Sequence, residues 1–310
     1  MDRIICVVGP TASGKTALAV ELAKFTGGEV VSCDSMQIYR RLNIGTAKPT
    51  ADEMQGIPHH MIDIVEPDEP FSVGRYVEMA TPIVEDILAR GKTCIIAGGT
   101  GLYVDNLIKG GEFAPCPATG CREKLEERLQ TEGLDSLIRE LRVIDPVALE
   151  KSQNNPRRII RALEVFLETG ETITTHNQRT AALPPKFDPL WIGTDYVNRQ
   201  DLYDRIDLRV ELMVKDGLLD EIREVLNSGI PEKATAMQAI GYKEFIDAMA
   251  GRSTIEEAIA QVQQSSRRYA KRQQTWFKRN EKIHWLLREK GQCAEEIFSA
   301  AFQLARNFDK

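Results

Sequence analysis

The stretch IICVVGPTASGKT (residues 4–16) joins an apolar run to a complete G-x-x-x-x-G-K-T pattern, and a helix-forming run follows at residues 17–24. A buried strand that leads through a glycine-rich turn into a helix is typical of a phosphate-binding loop, because the backbone N–H groups of the turn converge on an anion. In this pattern Lys15 reaches the outer phosphates, and Thr16 is positioned to help hold Mg²⁺. We therefore predict that a phosphorylated ligand binds here, although the loop does not identify it. The loop comprises Gly9, Pro10, Thr11, Ala12, Ser13, Gly14, Lys15 and Thr16.

The composition is that of a soluble globular protein with one large or two modest domains. The 310 residues are 42% apolar and 28% charged, which is ordinary for this class. No apolar run approaches the roughly 18 residues needed to cross a bilayer, and the N-terminus lacks a signal-peptide pattern. Cys116 and Cys121 form a lone C-x-x-x-x-C without the other ligands of a zinc site. We expect a reduced, cytoplasmic protein that does not contact a membrane.

A basic segment near the C-terminus contrasts with the acidic balance of the chain. The formal net charge of −6 argues against indiscriminate binding to nucleic acid. A local patch a few Debye lengths wide nevertheless acts independently of the total charge. The patch consists of Arg267, Arg268, Lys271, Arg272, Lys278, Arg279 and Lys282, opposed by Glu281.

Strand and helix patterns alternate over the first hundred residues, as a doubly wound parallel sheet requires. Strand-like runs cover residues 4–8, 29–33, 60–65 and 93–97. A helical pattern covers 72–90, with Ser72 as its N-cap.

The pattern changes after Gly110-Gly111. A proline-containing linker at 114–117 is followed by helical patterns alone, at residues 120–131, 134–143, 146–152 and 156–169. A proline pair then ends this part, and short strands are predicted at 189–193 and 284–287. We predict an α/β fold: a P-loop NTPase-like parallel sheet core (residues 1–111 and 187–310, helical in its C-terminal part) with an all-helical insertion domain (residues 112–186).

Asp34 directly follows the second predicted strand. In an open α/β sheet the C-terminal ends of the strands line the ligand crevice, so Asp34 should lie beside the phosphate loop. A carboxylate there can serve as a general base or as a metal ligand. The alternative is a plain N-cap of the next segment.

A later strand ends in a glycine turn, Ala97-Gly98-Gly99-Thr100-Gly101. A magnesium-binding Walker B strand would end in an aspartate instead. Glycines let the backbone approach a ligand closely, and Thr100 would offer it a hydroxyl. A plain strand-to-helix turn fits these residues equally well.

Arg205 and Arg209 are one helical turn apart and therefore share a face. Two guanidinium groups on one face suit a diphosphate, because arginine binds phosphate oxygens in bidentate fashion. Spacing alone favours the alternative, a solvated helix face paired with Asp201 and Asp204.

These features together resemble the bacterial-type tRNA dimethylallyltransferases, also called tRNA isopentenyltransferases. The matching motifs run in order over nearly the whole chain, and the ordered set is far more specific than the phosphate loop alone. They are GPTASGKT (9–16), DSMQIYR (34–40), IGTAKP (44–49), PHHMID (58–63), AGGTGLY (97–103), PRRIIRALEVF (156–166), LYDRIDLRV (202–210), QAIGYKE (238–244) and AKRQQTWFKR (270–279).

The resemblance implies transfer of a dimethylallyl group from dimethylallyl diphosphate to N6 of adenosine 37 of tRNA, next to the anticodon. Lys15 and Mg²⁺ would offset the charge that builds on the leaving diphosphate. Arg209, with Arg205 beside it, is similar to the family's diphosphate-binding arginine. Asp34 matches the base that accepts the N6 proton. Thr11 and Thr100 match positions that flank the reacting centre.

The resemblance also implies that the protein acts as a monomer and that its helical insertion binds the anticodon stem-loop. The adenine must be flipped out of its stack to reach the donor. The residues implied on the tRNA side are Asp34, Ser35, Met36, Gln37, Thr100, Arg122, Arg157, Arg158, Ile159, Ile160, Arg161, Gln238, Ala239, Ile240, Gly241, Tyr242, Lys243, Arg267, Arg268 and Arg272. Trp276 and Phe277 lie among the basic residues, and burial in an amphipathic helix is the alternative for these aromatic side chains.

Two other functions compete with this hypothesis. An adenylate isopentenyltransferase, which prenylates free AMP or ADP, would share the loop, the aspartate and the donor. It would not need the helical insertion or the surface at 238–279. A P-loop nucleotide kinase or ATPase is the second, and the missing Walker B aspartate counts against it.

Overall fold

The computed structural model describes residues 1–111, 113–114 and 119–308. The chain divides into two compact units, Met1–Gly110 with Lys186–Lys310 and Gly111–Pro185. We call them the sheet unit and the helical unit. The sequence patterns place the insertion at 112–186, one residue later at each end. The predicted Cys116–Cys121 pattern falls partly outside the described residues, because Cys116 is not among them.

A parallel sheet forms the centre of the sheet unit. Its strands are β1 (Asp2–Val8), β2 (Glu29–Ser32), β3 (His59–His60), β4 (Cys94–Gly98), β5 (Phe187–Tyr196) and β6 (His284–Arg288). The order across the sheet is β3-β2-β4-β1-β5-β6, and every pair is parallel. β1 lies in the interior of the sheet and is buried from Ile4 to Val8, which is why it reads as a continuous apolar run. The predicted α/β fold with a parallel sheet core is confirmed.

Helices surround this sheet and make up the helical unit. In chain order they are α1 (Lys15–Thr26), α2 (Ala51–Met54), α3 (Val73–Ala89), α4 (Gly101–Lys109), α5 (Cys121–Glu132), α6 (Leu134–Ile144), α7 (Pro146–Ser152), α8 (Pro156–Thr169), α9 (Ile173–Ala181), α10 (Arg199–Lys215), α11 (Leu218–Asn227), α12 (Lys243–Met249), α13 (Ile255–Phe277) and α14 (Ala294–Phe308). In the part of the chain that the structure describes, none of them combines the length and the apolar character needed to span a membrane.

The two ends of the chain meet on one side of the sheet. Ile5 and Val7 of β1 contribute to a core that also contains Leu22 of α1. α14 completes this core, and its Phe302 stacks on Phe25 with ring centroids 4.4 Å apart. The last helix therefore packs on α1, the helix that follows the phosphate loop.

The strands β3 and β5 and the helices α9 and α14 differ from the sequence predictions. The strand expected at 60–65 is confined to His59–His60, because Met61 and Asp63 have left-handed φ angles of 62° and 54° that end an extended strand. β5 is longer than predicted at both ends. α9 and α14 had no predicted counterpart; α9 is polar (ITTHNQRTA) and shows little apolar periodicity.

The helical unit has its own apolar core. Leu125, Leu137, Leu141 and Leu163 are buried together within it. The buried carboxylate of Asp145 caps α7 at Ala148 N–H (2.9 Å) and also accepts from the N–H and hydroxyl of Thr174 on α9. A single side chain therefore fixes α9 to α7.

Candidate active site

The site lies where four adjacent strands of the sheet unit end. β2, β4, β1 and β5 are neighbours in that order. Asp34 follows β2, Thr100 follows β4, the phosphate loop follows β1, and Asp195 lies near the end of β5. Because parallel strands end at one edge, the sheet brings together groups that are distant in sequence.

The phosphate loop has a backbone that few sequences allow. Gly9 has φ 145°, and a Cβ there would lie 2.3 Å from the Thr194 carbonyl oxygen. Gly14 is left-handed at φ 94°, as is Ala12 at φ 64°. The Ser13 hydroxyl donates to the Pro10 carbonyl (2.8 Å) and lies 2.7 Å from the Thr194 hydroxyl. These contacts hold the predicted loop conformation against β5.

Three cations surround this loop. Lys15 Nζ donates to the Pro10 carbonyl at 2.6 Å, Arg205 Nε to the Ala12 carbonyl at 3.2 Å, and an Arg209 guanidinium N–H to the Thr11 hydroxyl at 3.5 Å. Within the described ranges, none of the three cations forms a salt bridge with a carboxylate. The paired, solvated arrangement that spacing favoured for Arg205 and Arg209 is therefore wrong, since both point to the loop.

The electrostatics of the cluster favour an anionic ligand. Burial and the neighbouring Arg209 lower the pKa of Lys15 to about 8, although Asp34 and Asp195 act in the opposite direction. Burial and the adjacent Arg205 likewise lower the pKa of Arg209. Positive charges that repel one another in a partly buried site are stabilised by a negatively charged ligand.

Asp34 has one carboxylate oxygen engaged and one available. Oδ1 accepts from the N–H of Met36 (2.8 Å) and of Gln37 (3.3 Å), so the capping role is present. Oδ2 has no hydrogen bond within the described part of the chain. The neighbouring Thr100 hydroxyl accepts from the N–H of Ser35 (3.1 Å). Asp34 is thus fixed in orientation and still has an oxygen that can accept a proton.

The glycine turn after β4 accommodates protein atoms. A Cβ on Gly98 would lie 2.2 Å from the Cys33 carbonyl oxygen, and one on Gly99 would lie 2.1 Å from Nε2 of Gln273. We expected these glycines to admit a ligand. The structure shows that they let Cys33, directly after β2, and Gln273 of α13 approach the turn closely. A ligand at this turn stays a prediction.

Two side chains on α13 complete the site and were not predicted. Gln273 contacts the phosphate loop and the glycine turn together. Gln274 donates to both oxygens of the buried Asp195, at 3.0 and 2.8 Å. The only sequence signal was the glutamine pair inside AKRQQTWFKR, which spacing alone could not connect to either partner.

The predicted tRNA-side residues after β2 are all half-buried and differ in what their side chains contact. The Gln37 amide donates to the Ala47 carbonyl at 3.1 Å, which fixes its side chain. Met36 packs against a core cluster. Ser35 stays half-buried beside Thr100.

The segment at 238–243 is mostly interior. Tyr242 is fully buried, and Ala239 and Ile240 pack against the same core. Gly241 is also buried, which leaves the side chains of Gln238 and Lys243 exposed. The side chain of Tyr242 is enclosed by the fold, so a contact of this residue with tRNA would have to come from its backbone and stays a prediction.

In the helical unit only some of the predicted residues are accessible. The side chains of Ile159 and Ile160 lie in its core, so their contact with tRNA stays a prediction that only the backbone could meet. Arg157 and Arg158 are exposed. Arg161 donates to the Ala114 carbonyl (2.8 Å) and to Glu164 (2.7 Å), and Arg122 forms ion pairs with Glu126 and Glu164.

On α13 the cations also divide into two groups. Arg267 forms an ion pair with Asp207 of α10. Arg268 and Arg272 are exposed, and Arg272 lies over the ring of Tyr269, 5.5 Å from its centroid. Phe277 is buried, and the half-buried Trp276 donates its indole N–H to Asp105 at 2.9 Å. The aromatic residues therefore belong to the fold.

A magnesium ion fits this donor set only together with its ligand. Among the described residues no group of three or more His, Cys, Asp or Glu side chains could hold a metal. The phosphate loop offers the exposed hydroxyl of Thr16. Mg²⁺ commonly binds through few protein oxygens, several waters and the phosphates of a substrate, and Thr16 suits that mode.

Comparison with known proteins identifies the family. The protein-family model "IPP transferase" matches residues 37–280, and the family model "Isopentenyl transferase" matches residues 2–69. A tRNA dimethylallyltransferase from Caldanaerobacter subterraneus subsp. tengcongensis is 46% identical over 97% of this chain and 96% of the relative.

Solved structures agree with this match. The full-length tRNA isopentenylpyrophosphate transferase from Bacillus halodurans superposes with a TM-score of 0.75 at 40% identity, covering 100% of this chain and 97% of that one. A eukaryotic dimethylallyltransferase acting on tRNA gives a TM-score of 0.82 at 27% identity, covering 99% and 80%. The chain therefore belongs to the tRNA dimethylallyltransferases, a family of prenyl-transferring enzymes.

Proposed function

We propose that this protein transfers a dimethylallyl group from dimethylallyl diphosphate to N6 of adenosine 37 of tRNA and releases diphosphate. The observation that carries the proposal is the separation of charge at the site. Among the residues that the structure describes, Lys15, Arg205 and Arg209 converge on the phosphate loop without a carboxylate partner, and Asp34 keeps a carboxylate oxygen unengaged. Such a site suits an anionic leaving group on one side and a proton donor on the other.

The donor diphosphate would occupy the phosphate loop. As the bond between C1 and the bridging oxygen breaks, its electron pair moves to the diphosphate. The cations at the loop stabilise the charge that develops there, which is the largest contribution in many transfer reactions. Mg²⁺, held beside the loop by Thr16, would offset part of the same charge when bound.

The acceptor amine would face Asp34. The lone pair of N6 is delocalised into the adenine ring, so the amine is a weak nucleophile. Its attack on C1 forms the N–C bond, and the N6 proton passes to Oδ2 of Asp34. A positioned base of this kind contributes about 10²–10⁴-fold to rate. Thr100, whose hydroxyl lies beside Ser35, and Thr11 would flank the reacting atoms.

Exposed cations would bind the backbone of the anticodon stem-loop. Arg268 and Arg272 on α13, and Arg157 and Arg158 in the helical unit, are the accessible arginines of the predicted set. Contacts to phosphates supply most of the affinity for RNA. The enzyme would act as a monomer on a flipped adenine, with the helical unit holding part of the stem-loop.

The test is analysis of the products. The protein is incubated with dimethylallyl diphosphate, Mg²⁺ and unmodified tRNA, and the nucleosides and nuclease fragments are examined by mass spectrometry. We expect one dimethylallyl group on adenosine 37. Prenylation of AMP with unmodified tRNA would instead identify an adenylate isopentenyltransferase. ATP turnover without prenyl transfer would identify a kinase or ATPase.

A further inference from the structure

Gln273 joins two loops of the active site through one side chain. The residue lies on α13 with 5% of its surface exposed. Its Oε1 accepts from the N–H of Thr11 in the phosphate loop at 2.8 Å. Its Nε2 donates to the carbonyl of Gly99, next to Thr100, at 3.0 Å.

A primary amide matches this position in a way that few side chains do. The Thr11 N–H can only donate, and the Gly99 carbonyl can only accept. The bridging group must therefore offer one acceptor and one donor at a fixed separation. Gly99 leaves just enough room, since a Cβ there would lie 2.1 Å from Nε2 of Gln273. The bridge also engages the Thr11 amide, which anchors the loop from the α13 side.

The same helix face reaches the acceptor side. Tyr269 lies one turn before Gln273, with its hydroxyl close to the side chains of Thr100 and Gln273. Burial and the nearby Asp34 raise the pKa of Tyr269 to about 12, so its hydroxyl is neutral at ordinary pH. α13 thus contacts both the loop that would hold the leaving group and the threonine beside the base.

We infer that Gln273 is a positioning residue, which sets the distance between the phosphate loop and the Thr100 turn and so aligns donor and acceptor. The inference rests on the proposed function. A misplacement near 1 Å in such a site costs on the order of 10²-fold in rate. Binding of the donor alone should change much less, because the cations at the loop remain in place.

Gln273→Glu gives a test that a purely structural role would not reproduce. A protonated carboxyl, like the amide, has one donor and one acceptor, whereas the ionised form lacks the donor and repels the Gly99 carbonyl. Burial raises the pKa of such a carboxyl. We expect kcat at saturating donor to approach the wild-type value near pH 5.5 and to fall by one to two orders of magnitude by pH 8.

The matched control is Gln264→Glu, an equal change of charge at an exposed position of the same helix. It should keep the wild-type pH profile. If Gln273→Glu gives the same profile as this control, the inference is overturned. The proposed function fails separately, if the wild-type protein does not prenylate tRNA at all.

Gln273→Leu covers the case in which the glutamate variant does not fold. This uncharged substitution removes both hydrogen bonds. We expect kcat to fall at least tenfold while KM for dimethylallyl diphosphate stays within about threefold of the wild type. An unchanged kcat, or a loss confined to KM, would contradict the positioning role.

Discussion

Glu221 on α11 holds the loop that contains the IGTAKP motif. Its Oε2 accepts from the N–H groups of Asn43 and Ile44, both at 2.8 Å, and its Oε1 from the N–H of Gly45 at 3.2 Å. Oε1 also accepts from the hydroxyl of the buried Tyr242 at 2.7 Å. We predict that Glu221→Ala markedly destabilises the sheet unit.

The magnitude follows from the groups that would lose a partner. The Asn43 bond is exposed, so this amide can regain water. The amides of Ile44 and Gly45 and the Tyr242 hydroxyl are at least partly buried. A buried donor that loses its partner costs about 1–3 kcal/mol. Taking the lower end for these three groups gives about 3 kcal/mol of lost stability.

The assay is urea unfolding followed by tryptophan fluorescence, with linear extrapolation to water. The three tryptophans, Trp191, Trp276 and Trp285, all lie in the sheet unit. The signal therefore reports on the unit that contains Glu221 and is not mixed with unfolding of the helical unit.

Two further variants make the result decisive. Tyr242→Phe removes one of the four hydrogen bonds and should cost about 1 kcal/mol. Glu224→Ala removes an exposed carboxylate from the same helix and should change stability by no more than about 0.5 kcal/mol. If Glu221→Ala is no more destabilised than Glu224→Ala, the four hydrogen bonds do not hold the loop, and the reasoning is refuted.

Three predictions concern the active site and its RNA surface. Because the pKa of Lys15 is about 8, its positive charge is present below that pH and lost above it. KM for the donor should therefore rise about tenfold per pH unit above 8. Lys15→Ala should abolish this pH dependence, and a flat profile for the wild-type protein would contradict the prediction. Asp34→Asn keeps an oxygen for the two backbone amides but cannot accept the N6 proton. We expect kcat to fall by about 10²-fold or more, while the affinity for tRNA, measured by filter binding, is retained. An unchanged kcat would show that Asp34 is not the base. Replacing Arg268 and Arg272 with alanine should reduce the slope of log K for tRNA binding against log salt concentration by about 2. Arg267→Ala should leave this slope unchanged. Equal slopes for the two variant proteins would exclude α13 as a phosphate contact.

The phosphate loop could be predicted because its determinants are contiguous. A strand, two glycines and a lysine lie within residues 4–16, so local spacing fixes their geometry. Gln273 and Thr11, by contrast, are 262 residues apart in the chain. Glu221 and Asn43 are separated by 178. Contacts of such separation follow from the packing of α13 and α11, which no local pattern encodes.

The tRNA-side predictions show a second limit of sequence reasoning. A motif names a segment, but helix periodicity decides which of its side chains are accessible. In PRRIIRALEVF the isoleucines Ile159 and Ile160 pack into the helical unit, while Arg157 and Arg158 remain outside. Whether these arginines bind tRNA stays a prediction.

The charges at the phosphate loop are arranged differently from those of a buried ion-pair cluster elsewhere in the fold. The buried carboxylate of Glu29, by contrast, binds Arg90, Lys92 and His60. At the phosphate loop, burial and the neighbouring Arg209 lower the pKa of Lys15. Such unpaired charge destabilises the ligand-free protein. An anion that binds only the folded state offsets this cost in proportion to its affinity. An anion at the loop therefore stabilises the folded protein, and diphosphate is an anion of this kind.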